Sequence, residues 1–356
     1  MRSWAEINLD NLRYNINTLK SLAGKSEVMP VIKANAYGHG LEKILEVIVE
    51  NVNWIGVATL EEAQMVRNIS KVVNVLVLGP IEYEDMRKAS SENIAFLLTS
   101  MEEIDYLYEN NINSKVHIKV DTGMGRVGFS MSDLDMVIEK LKEKKSINVE
   151  GIFSHLSSSD TSKEYTEWQL EKYKEVVKKF PDVKYKHVLN SFGAMRFDSS
   201  KYDIIRVGII LYGGIKEENS FSYKFKPVMS LKARVSFVKT LENKMYISYN
   251  RAYEGQVGEK IATVSIGYAD GVRRDLSNKG EVFIKNRKCK MIGTICMDQL
   301  LISVPEDLEV NVGDTVELFG ENIHVEDVAE KCNTISYEIL CGISSRIPRI
   351  YKGEEK

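Results

Sequence analysis

Between residues 27 and 212 the sequence alternates short apolar runs with longer amphipathic segments, and this alternation limits the possible folds more than any other feature. The segments place apolar residues at helical spacing, as at Leu41, Ile44, Leu45 and Ile48. Strands that are almost continuously apolar and alternate with helices predict a parallel sheet covered by helices. The predicted strands are 28–33, 54–58, 73–78, 94–98, 115–120, 149–154, 185–189 and 204–207.

Eight strand-helix units with mostly short connections favour a closed (β/α)8 barrel of the TIM type. An open, doubly wound sheet is the alternative, but it usually carries G-x-G-x-x-G after its first strand, where this sequence lacks that pattern. A serine or threonine followed three residues later by an acidic residue predicts helix starts at Thr59, Ser100, Ser132 and Thr161.

After Lys216 the character of the sequence changes. The polar run 217–220 predicts a linker, and β-branched segments at turn spacing follow it, with one short helix predicted over 325–332. The predicted strands are 228–238, 260–268, 282–285, 290–295, 300–304 and 315–319. Because 356 residues exceed what one core usually organises, we predict two domains, a barrel over 9–216 and a mostly β domain over 225–356. Ahead of the barrel, 1–9 predicts a strand and 8–23 a helix.

The charge balance gives no reason to expect nucleic acid or an anionic membrane as a partner, because 48 basic side chains face 51 acidic ones. No apolar run approaches the length of a membrane span, and the first residues lack the apolar core of a signal peptide, so we expect a cytoplasmic protein. The four cysteines form no C-x-x-C pair and the five histidines are scattered. We therefore predict free thiols and no metal.

The string VIKANAYGHG at 31–40 places a lysine at the carboxyl end of the first predicted barrel strand, followed by two glycines that permit a tight turn. Barrel enzymes keep their chemistry at this end of the strands. Lys33 is therefore either a solvated surface charge, which is the commoner case, or a desolvated amine that acts as a nucleophile.

The whole string resembles the pyridoxal phosphate (PLP) attachment segment of bacterial alanine racemases. The motifs KVDTGMGRVGF, FSHL, RVGI, ISY, GYADG and ICMDQ follow in that family's order, so the resemblance covers nearly the full chain. It implies a PLP-binding barrel, with strand 1–8 joining the β domain, that interconverts L- and D-alanine and supplies D-alanine for peptidoglycan. It also implies a homodimer with shared active sites, in which β-domain residues enter the partner's barrel.

The resemblance assigns two catalytic bases. Lys33 would hold PLP covalently and remove the α-proton of one alanine enantiomer, and Tyr249 of the other chain would remove that of its mirror image. The match at Tyr249 is imperfect, because Asn250 stands where the family usually has glycine. Arg126 and Met297 would bind the substrate carboxylate.

Further residues are implied to bind PLP. Tyr37 would contact its phosphate and Arg206 would donate to its pyridine nitrogen, although Arg206 alone would be interpreted as a barrel-rim arginine paired with Asp203. Phosphates commonly bind to the loops after barrel strands seven and eight. The residues in those loops are Asn190, Ser191, Gly208 and Ile209.

Four supporting positions complete the predicted site. His155 would support the cofactor ring, although a lone histidine at a strand end is more often structural. Lys119 matches a lysine that many members carboxylate on its amine and that then holds the arginine matched by Arg126. Tyr268 lies in a loop that contributes to the entrance, and Asp298 follows Met297 in the ICMDQ segment.

Three alternatives stay open. A PLP-carrying homeostasis protein lacks the second domain, so residues 225–356 speak against it. An amino-acid decarboxylase on this barrel would place an acidic residue toward the pyridine and a cysteine near the α-carbon, so Arg206 and Tyr249 favour racemisation. Finally, Ser345 stands where many alanine racemases carry a tyrosine, which suggests a dual alanine and serine racemase unless neighbouring side chains fill the gap.

Overall fold

The computed structural model describes residues 1–216 and 223–353, so the predicted linker at 217–220 lies outside the described residues. The helices are α1 (Leu9–Ala23), α2 (Lys33–Tyr37), α3 (Leu41–Ile48), α4 (Leu60–Ile69), α5 (Tyr83–Ser91), α6 (Met101–Glu109), α7 (Leu134–Lys142), α8 (Lys163–Lys179), α9 (Ser191–Arg196), α10 (Val325–Lys331) and α11 (Ser336–Cys341). The strands of the first part are β1 (Ser3–Asn8), β2 (Glu27–Pro30), β3 (Trp54–Val57), β4 (Asn74–Val77), β5 (Ala95–Leu98), β6 (Ser114–Lys119), β7 (Ile147–Phe153), β8 (Tyr185–His187) and β9 (Ile204–Val207). Those of the second part are β10 (Met229–Thr240), β11 (Met245–Ile247), β12 (Tyr253–Gly255), β13 (Lys260–Val264), β14 (Glu281–Ile284), β15 (Arg287–Ile292), β16 (Leu300–Val304), β17 (Thr315–Phe319) and β18 (Arg349–Lys352).

Eight parallel strands form the predicted barrel. Strands β3 to β8 make one six-stranded sheet, and β2 pairs with β9. A bridge between Val31 and Gly56 connects the β2 side to β3, and the Asp203 amide donates to the carbonyl of Lys186, which places β9 beside β8. The (β/α)8 prediction is therefore confirmed.

A fully buried apolar cluster fills the interior of this barrel. It takes one side chain from each of five strands, which agrees with the rule that alternate strand residues point inward. Its members are Met29, Trp54, Leu76, Ala95 and Ile204. A second, larger core lies between the strands and the surrounding helices and continues through the β domain.

Two predicted helix starts are confirmed. The hydroxyl of Ser100 accepts the amide of Glu103 at the start of α6, and the Glu103 carboxylate returns to the Ser100 amide, which is a full capping box. The hydroxyl of Thr59 accepts the amide of Glu62 at the start of α4. The Glu62 carboxylate has other partners, which are described below.

The predicted starts at Ser132 and Thr161 are wrong by one residue. The N-cap of α7 is Asp133, because the Ser132 hydroxyl pairs with that of Ser130, whose amide donates to the Asp133 carboxylate. The N-cap of α8 is Ser162, whose hydroxyl accepts the backbone amide three residues further on. At α8 a neighbouring hydroxyl thus takes the cap position, whereas at α7 no side chain caps the helix.

The second part of the chain is built from antiparallel strands, so the predicted mostly β domain is confirmed. Strand β10 pairs with both β17 and β13, which closes the order β10-β13-β16-β15-β14-β17 into a small barrel. Strand β1 extends this sheet by pairing with β10, and β18 lies parallel to β1. The domain limits at 9–216 and 225–356 remain a prediction that these pairings support.

Three elements of the β domain were not predicted, namely the β11–β12 hairpin, α11 and β18. Helix α11 has six residues and no side-chain cap at Ile335, so it is too short to show a helical period. All four cysteines are free. Within 1–216 and 223–353, no helix is long and apolar enough to cross a membrane.

Candidate active site

A cavity of about 190 Å³ lies at the carboxyl ends of the barrel strands. Lys33 follows β2, Lys119 ends β6, Phe153 ends β7 and Arg206 belongs to β9. The lining residues are Val31, Lys33, Tyr37, Leu78, Leu97, Lys119, Arg126, Val127, Phe153, His155, Asn190, Ser191, Arg206, Gly208 and Tyr337. The structure thus brings together most of the barrel residues that the sequence predicted.

Lys33 does not end a strand but begins α2, which is a left-handed turn and not a regular α-helix. β2 stops at Pro30, and the four residues after Lys33, from Ala34 to Tyr37, have φ between 53° and 54°. Left-handed backbone costs residues with a side chain roughly 1–2 kcal/mol each, so a run of four is strained. Such strain is found at functional sites where the surroundings impose it.

Contacts from distant segments hold both ends of this turn. The amide of Ala34 donates to Oε1 of Glu62 (2.7 Å), and Oε2 of Glu62 accepts the amide of Ala58 (2.8 Å). At the other end, Nε of Arg349 donates to the carbonyl of Gly38 (3.0 Å). The surrounding structure therefore provides the hydrogen bonds that the strained turn needs.

Arg206 is buried in the barrel and bonded to a histidine chain. Its guanidinium donates to Nδ1 of His187 (2.9 Å) and to the carbonyl of Ser154 (2.7 Å). Because arginine only donates, His187 carries its proton on Nε2, which faces Nδ1 of His117 (2.8 Å). Burial lowers the pKa of His117 to about 3 and that of His187 well below its usual value, so both rings are neutral.

These contacts correct two expectations from the sequence. Arg206 does not pair with Asp203, whose carboxylate accepts the amide of Lys186. The histidines are not all scattered, because His155 also meets Arg206, with its Nδ1 3.3 Å from the guanidinium. Burial, followed by the charge of Arg206, lowers the pKa of His155 to about 3. Within the described ranges, no group of three His, Cys, Asp or Glu side chains could hold a metal ion.

The ends of β8 and β9 form a small cradle. The amide of Gly208 donates to the hydroxyl of Ser191 (3.0 Å), and a Cβ at Gly208 would lie 2.4 Å from the Tyr37 hydroxyl. Ile209 follows and is fully buried. A glycine is needed here because the backbone approaches Tyr37 so closely. Hydroxyls and backbone amides around one glycine suit a phosphate.

Asn190 lines the same cavity, but its side chain is hydrogen-bonded to other groups of the protein. Its Oδ1 accepts the amide of Gly193 (3.0 Å), which caps α9, and the hydroxyl of Ser159 (2.7 Å). Its Nδ2 donates to the carbonyl of Leu156 (3.2 Å). Asn190 is thus placed to shape the loop rather than to offer a free amide to a ligand.

Arg126 stands on a loop that Asp121 organises. The Asp121 carboxylate accepts the amides of Gly123, Met124 and Gly125, each at 2.8 Å. Arg126 follows these three residues, is exposed, and lines the cavity. Its guanidinium is therefore available to an anionic group of a ligand.

Lys119 lies beneath this loop and is almost completely buried. Its amine donates to the carbonyl of Val120 (2.9 Å). Burial, with smaller contributions from the charges of Arg206 and Arg126 and against the opposing effect of Asp121, lowers the pKa of Lys119 to about 8. Near neutral pH part of this amine is therefore uncharged.

The predicted β-domain residues lie outside this cavity. The side chains of Tyr249, Met297 and Tyr268 are 65%, 52% and 44% exposed, and none of the three lines the cavity. Tyr268 and Met297 are neighbours, because backbone hydrogen bonds connect the two loops that carry them. Asp298 beside them accepts from Arg346 (2.8 Å) and anchors that turn.

Sequence reasoning missed several cavity and supporting residues. Tyr337 reaches the cavity from α11, with its ring 5.8 Å from that of Tyr37, and this helix gave no sequence signal. His117 did give one, because β6 alternates polar Lys115, His117 and Lys119 with apolar residues. That period of two indicates a polar face directed into the barrel.

The arrangement fits the cofactor that the resemblance implies. Lys33 supplies an amine at the cavity, the cradle around Gly208 suits a phosphate, and the buried Arg206 suits a ring nitrogen that only accepts. Burial lowers the pKa of Arg206 to about 10, so it stays charged near neutral pH. These groups together form a site for PLP.

Comparisons with known proteins cover almost the entire chain. Residues 7–216 match the family model "Alanine racemase, N-terminal domain" and residues 228–351 match "Alanine racemase, C-terminal domain". An alanine racemase of Clostridium kluyveri is 40% identical, over 99% of this chain and 95% of that protein. One from Clostridium perfringens is 39% identical, over 98% and 95% respectively.

Solved structures agree with these relatives. An alanine racemase of Clostridium difficile 630 superposes with a TM-score of 0.91 at 36% identity, over 99% of this chain and 96% of that one. An alanine racemase from Bacillus anthracis, solved with bound L-Ala-P, gives a TM-score of 0.90 at 31% identity, over 100% and 96%.

Proposed function

The chain belongs to the alanine racemase family, and on that premise we propose that it racemises alanine with Lys33 and Tyr249 as its two bases. The observation that carries the proposal is the convergence of Lys33, Arg206 and the Gly208 cradle on one cavity. PLP, the cofactor of this family, supplies the electron sink that makes an amino-acid α-proton removable.

The barrel residues have separable roles in this proposal. Lys33 takes up or returns the proton on one face of the substrate α-carbon. Arg206 would donate an N–H to the ring nitrogen and keep that proton. The ring then accepts less negative charge, which favours prompt return of the α-proton to the substrate over side reactions. Ser191, Gly208 and Tyr37 hold the phosphate.

Arg126 is the candidate residue that binds the substrate carboxylate, and Met297 of the β domain is the second candidate for the same group. The lowered pKa of Lys119 supports the carboxylation that the resemblance implies, because only the neutral amine adds CO₂. A carboxylated Lys119 would be an anion beneath Arg126 and would replace a repulsion by an attraction. An intact-protein mass increased by one CO₂ would identify it.

The function is tested by two measurements on the purified protein. An absorbance spectrum after addition of PLP reports its covalent attachment, and polarimetry with L-alanine, L-serine and L-lysine reports racemisation and its breadth. Attachment with rapid loss of optical rotation from L-alanine is expected. A protein that attaches PLP but leaves all three amino acids unchanged would favour the homeostasis alternative, and release of CO₂ would favour the decarboxylase.

A homodimer with shared sites is part of the proposal. It is supported by Tyr249, Tyr268 and Met297, which are exposed in the single chain and lie outside the cavity that contains Lys33. A second copy would bring these side chains to that cavity and cover apolar surface. A cytoplasmic location and a supply of D-alanine for peptidoglycan rest on the family alone.

Mixing two inactive variants should restore activity if sites are shared. A dimer of one Lys33→Ala chain and one Tyr249→Phe chain holds one site with both bases intact and one with neither. With random exchange of chains, about a quarter of the wild-type activity is expected. Activity is measured after exchange has been verified with two differently tagged chains. No recovery would mean that each chain builds its site alone.

Substrate breadth is a second question, raised by Ser345. This residue is exposed and lies in the turn 344–347, next to Arg346, which binds Asp298 near Met297. A serine in place of a tyrosine leaves room for the hydroxymethyl group of L-serine, and a small pocket rejects one added hydroxyl only weakly, by about a hundredfold.

Ser345→Tyr should therefore lower the ratio of serine to alanine racemisation. The measurement is kcat/KM for both substrates in wild type and variant, with Ser344→Ala as the neighbouring control. An unchanged ratio would show that Ser345 does not set specificity and would leave alanine preference to other side chains.

A further inference from the structure

We infer that Glu62 is a positioning residue for Lys33, an inference that rests on the proposed function. Glu62 lies in the first turn of α4, after β3, whereas Lys33 follows β2. Its carboxylate contacts the backbone of the residue next to Lys33 rather than the side chain of Lys33 itself. It therefore acts on the direction in which the turn presents the amine.

Each carboxylate oxygen of Glu62 has its own backbone donor. Oε1 accepts the amide of Ala34 at 2.7 Å and Oε2 accepts that of Ala58 at 2.8 Å. The helix start that carries Glu62 is itself capped, because the amide of Glu62 donates to the hydroxyl of Thr59 at 3.3 Å. Hydrogen bonds thus connect the start of α4 to the turn that Lys33 begins.

A second glutamate shows what the same local pattern does without this contact. Glu103 occupies the equivalent place in α6, and its Oε2 accepts the amides of Thr99 (2.6 Å) and Ser100 (3.2 Å). Both partners belong to the cap of its own helix. In α4 the oxygen Oε2 accepts the amide of Ala58, the residue before the cap, and the other oxygen, Oε1, is bonded to Ala34, 28 residues away.

The strain of the turn explains why this contact matters. Ala34 is the first of four left-handed residues, and because amides at the start of a helical turn have no acceptor within it, the Ala34 amide needs an outside one. A glutamine at 62 offers one acceptor oxygen to two N–H donors and turns its own NH₂ toward one of them. Ala34 is exposed, so water can replace the lost acceptor, but water does not hold the amide in one direction and the turn can then rotate.

The test compares Glu62→Gln with Glu103→Gln in the purified full-length protein. Glu103→Gln removes only contacts within the cap of its own helix, whereas Glu62→Gln also removes the contact to Ala34, so Glu103→Gln reports the effect of a weakened helix start alone. Three quantities are measured, namely hydrogen exchange of the Ala34 amide without PLP, the pH titration of the absorbance band of Lys33-attached PLP, and kcat with KM. Glu62→Asp, which keeps the charge but shortens the reach, serves if the glutamine variant does not fold.

In Glu62→Gln we expect exchange at Ala34 to accelerate at least tenfold, the absorbance titration to shift, and kcat to fall by about tenfold or more, since small displacements of a catalytic group are costly. Glu103→Gln should leave all three unchanged. Equal behaviour of the two variants would overturn the inference. Faster exchange with an unaltered titration and kcat would also overturn it, because Glu62 would then be only structural. A wild-type protein that neither attaches PLP nor racemises would instead refute the proposed function.

Discussion

Replacing Lys33 by alanine is expected to abolish racemisation in both directions and the absorbance band of covalently attached PLP. The barrel cavity contains Lys33 at its edge, at the start of a strained turn that the rest of the chain holds in place. Without this amine the enzyme lacks one of its two bases, and PLP has no covalent attachment. We therefore expect kcat/KM to fall at least roughly 1,000-fold.

Lys43→Ala is a suitable control for this variant. Lys43 lies on α3, a few residues beyond the turn, and pairs with Glu46 at the surface. Its removal should leave the absorbance band and the rate unchanged. Retention of the band and of activity in Lys33→Ala would refute the central role of Lys33.

The second large effect is expected from Tyr249→Phe, and it should be unequal for the two enantiomers. If each base serves one face of the α-carbon, loss of the phenol removes proton transfer on one face only. Incorporation of α-deuterium from solvent should fall about a hundredfold or more when the reaction starts from one enantiomer, and much less from the other.

The chain offers Tyr246→Phe as a matched control. Tyr246 lies three residues earlier on β11 and is 52% exposed, similar to the 65% of Tyr249. It should not alter deuterium incorporation from either enantiomer. Equal and small effects of Tyr249→Phe in both directions would remove Tyr249 from the mechanism.

The barrel was predictable because its order is local. Each buried strand is a short apolar run, and each helix shows its own period, so eight repeats could be counted without knowing any long-range contact. The boundaries were less predictable where neighbouring polar residues compete for one cap, as Thr161 and Ser162 do. The β11–β12 hairpin and α11 were too short to produce a periodic pattern.

Site residues were predictable where a single local motif identifies them. Contacts between distant segments of the chain were not predictable. Lys33 follows β2 and Arg206 belongs to β9, and both lie at the end of the barrel where such folds collect their chemistry. The sequence patterns at Thr59–Glu62 and Ser100–Glu103 are alike, yet only Glu62 has a distant amide within reach. Likewise, no local signal connects His187 to Arg206, because their contact exists only once β8 and β9 lie side by side.

The hydrogen bond between Arg349 and Gly38 joins residues 311 positions apart, and Tyr351 donates in the same way to the carbonyl of His39 (3.1 Å). During synthesis the barrel emerges first and its segments begin to fold before these donors exist. The carbonyls of Gly38 and His39 gain these two donors only after residues 349 and 351 have been translated. The turn that carries Lys33 is therefore joined to a segment of the β domain that is synthesised only after the whole barrel.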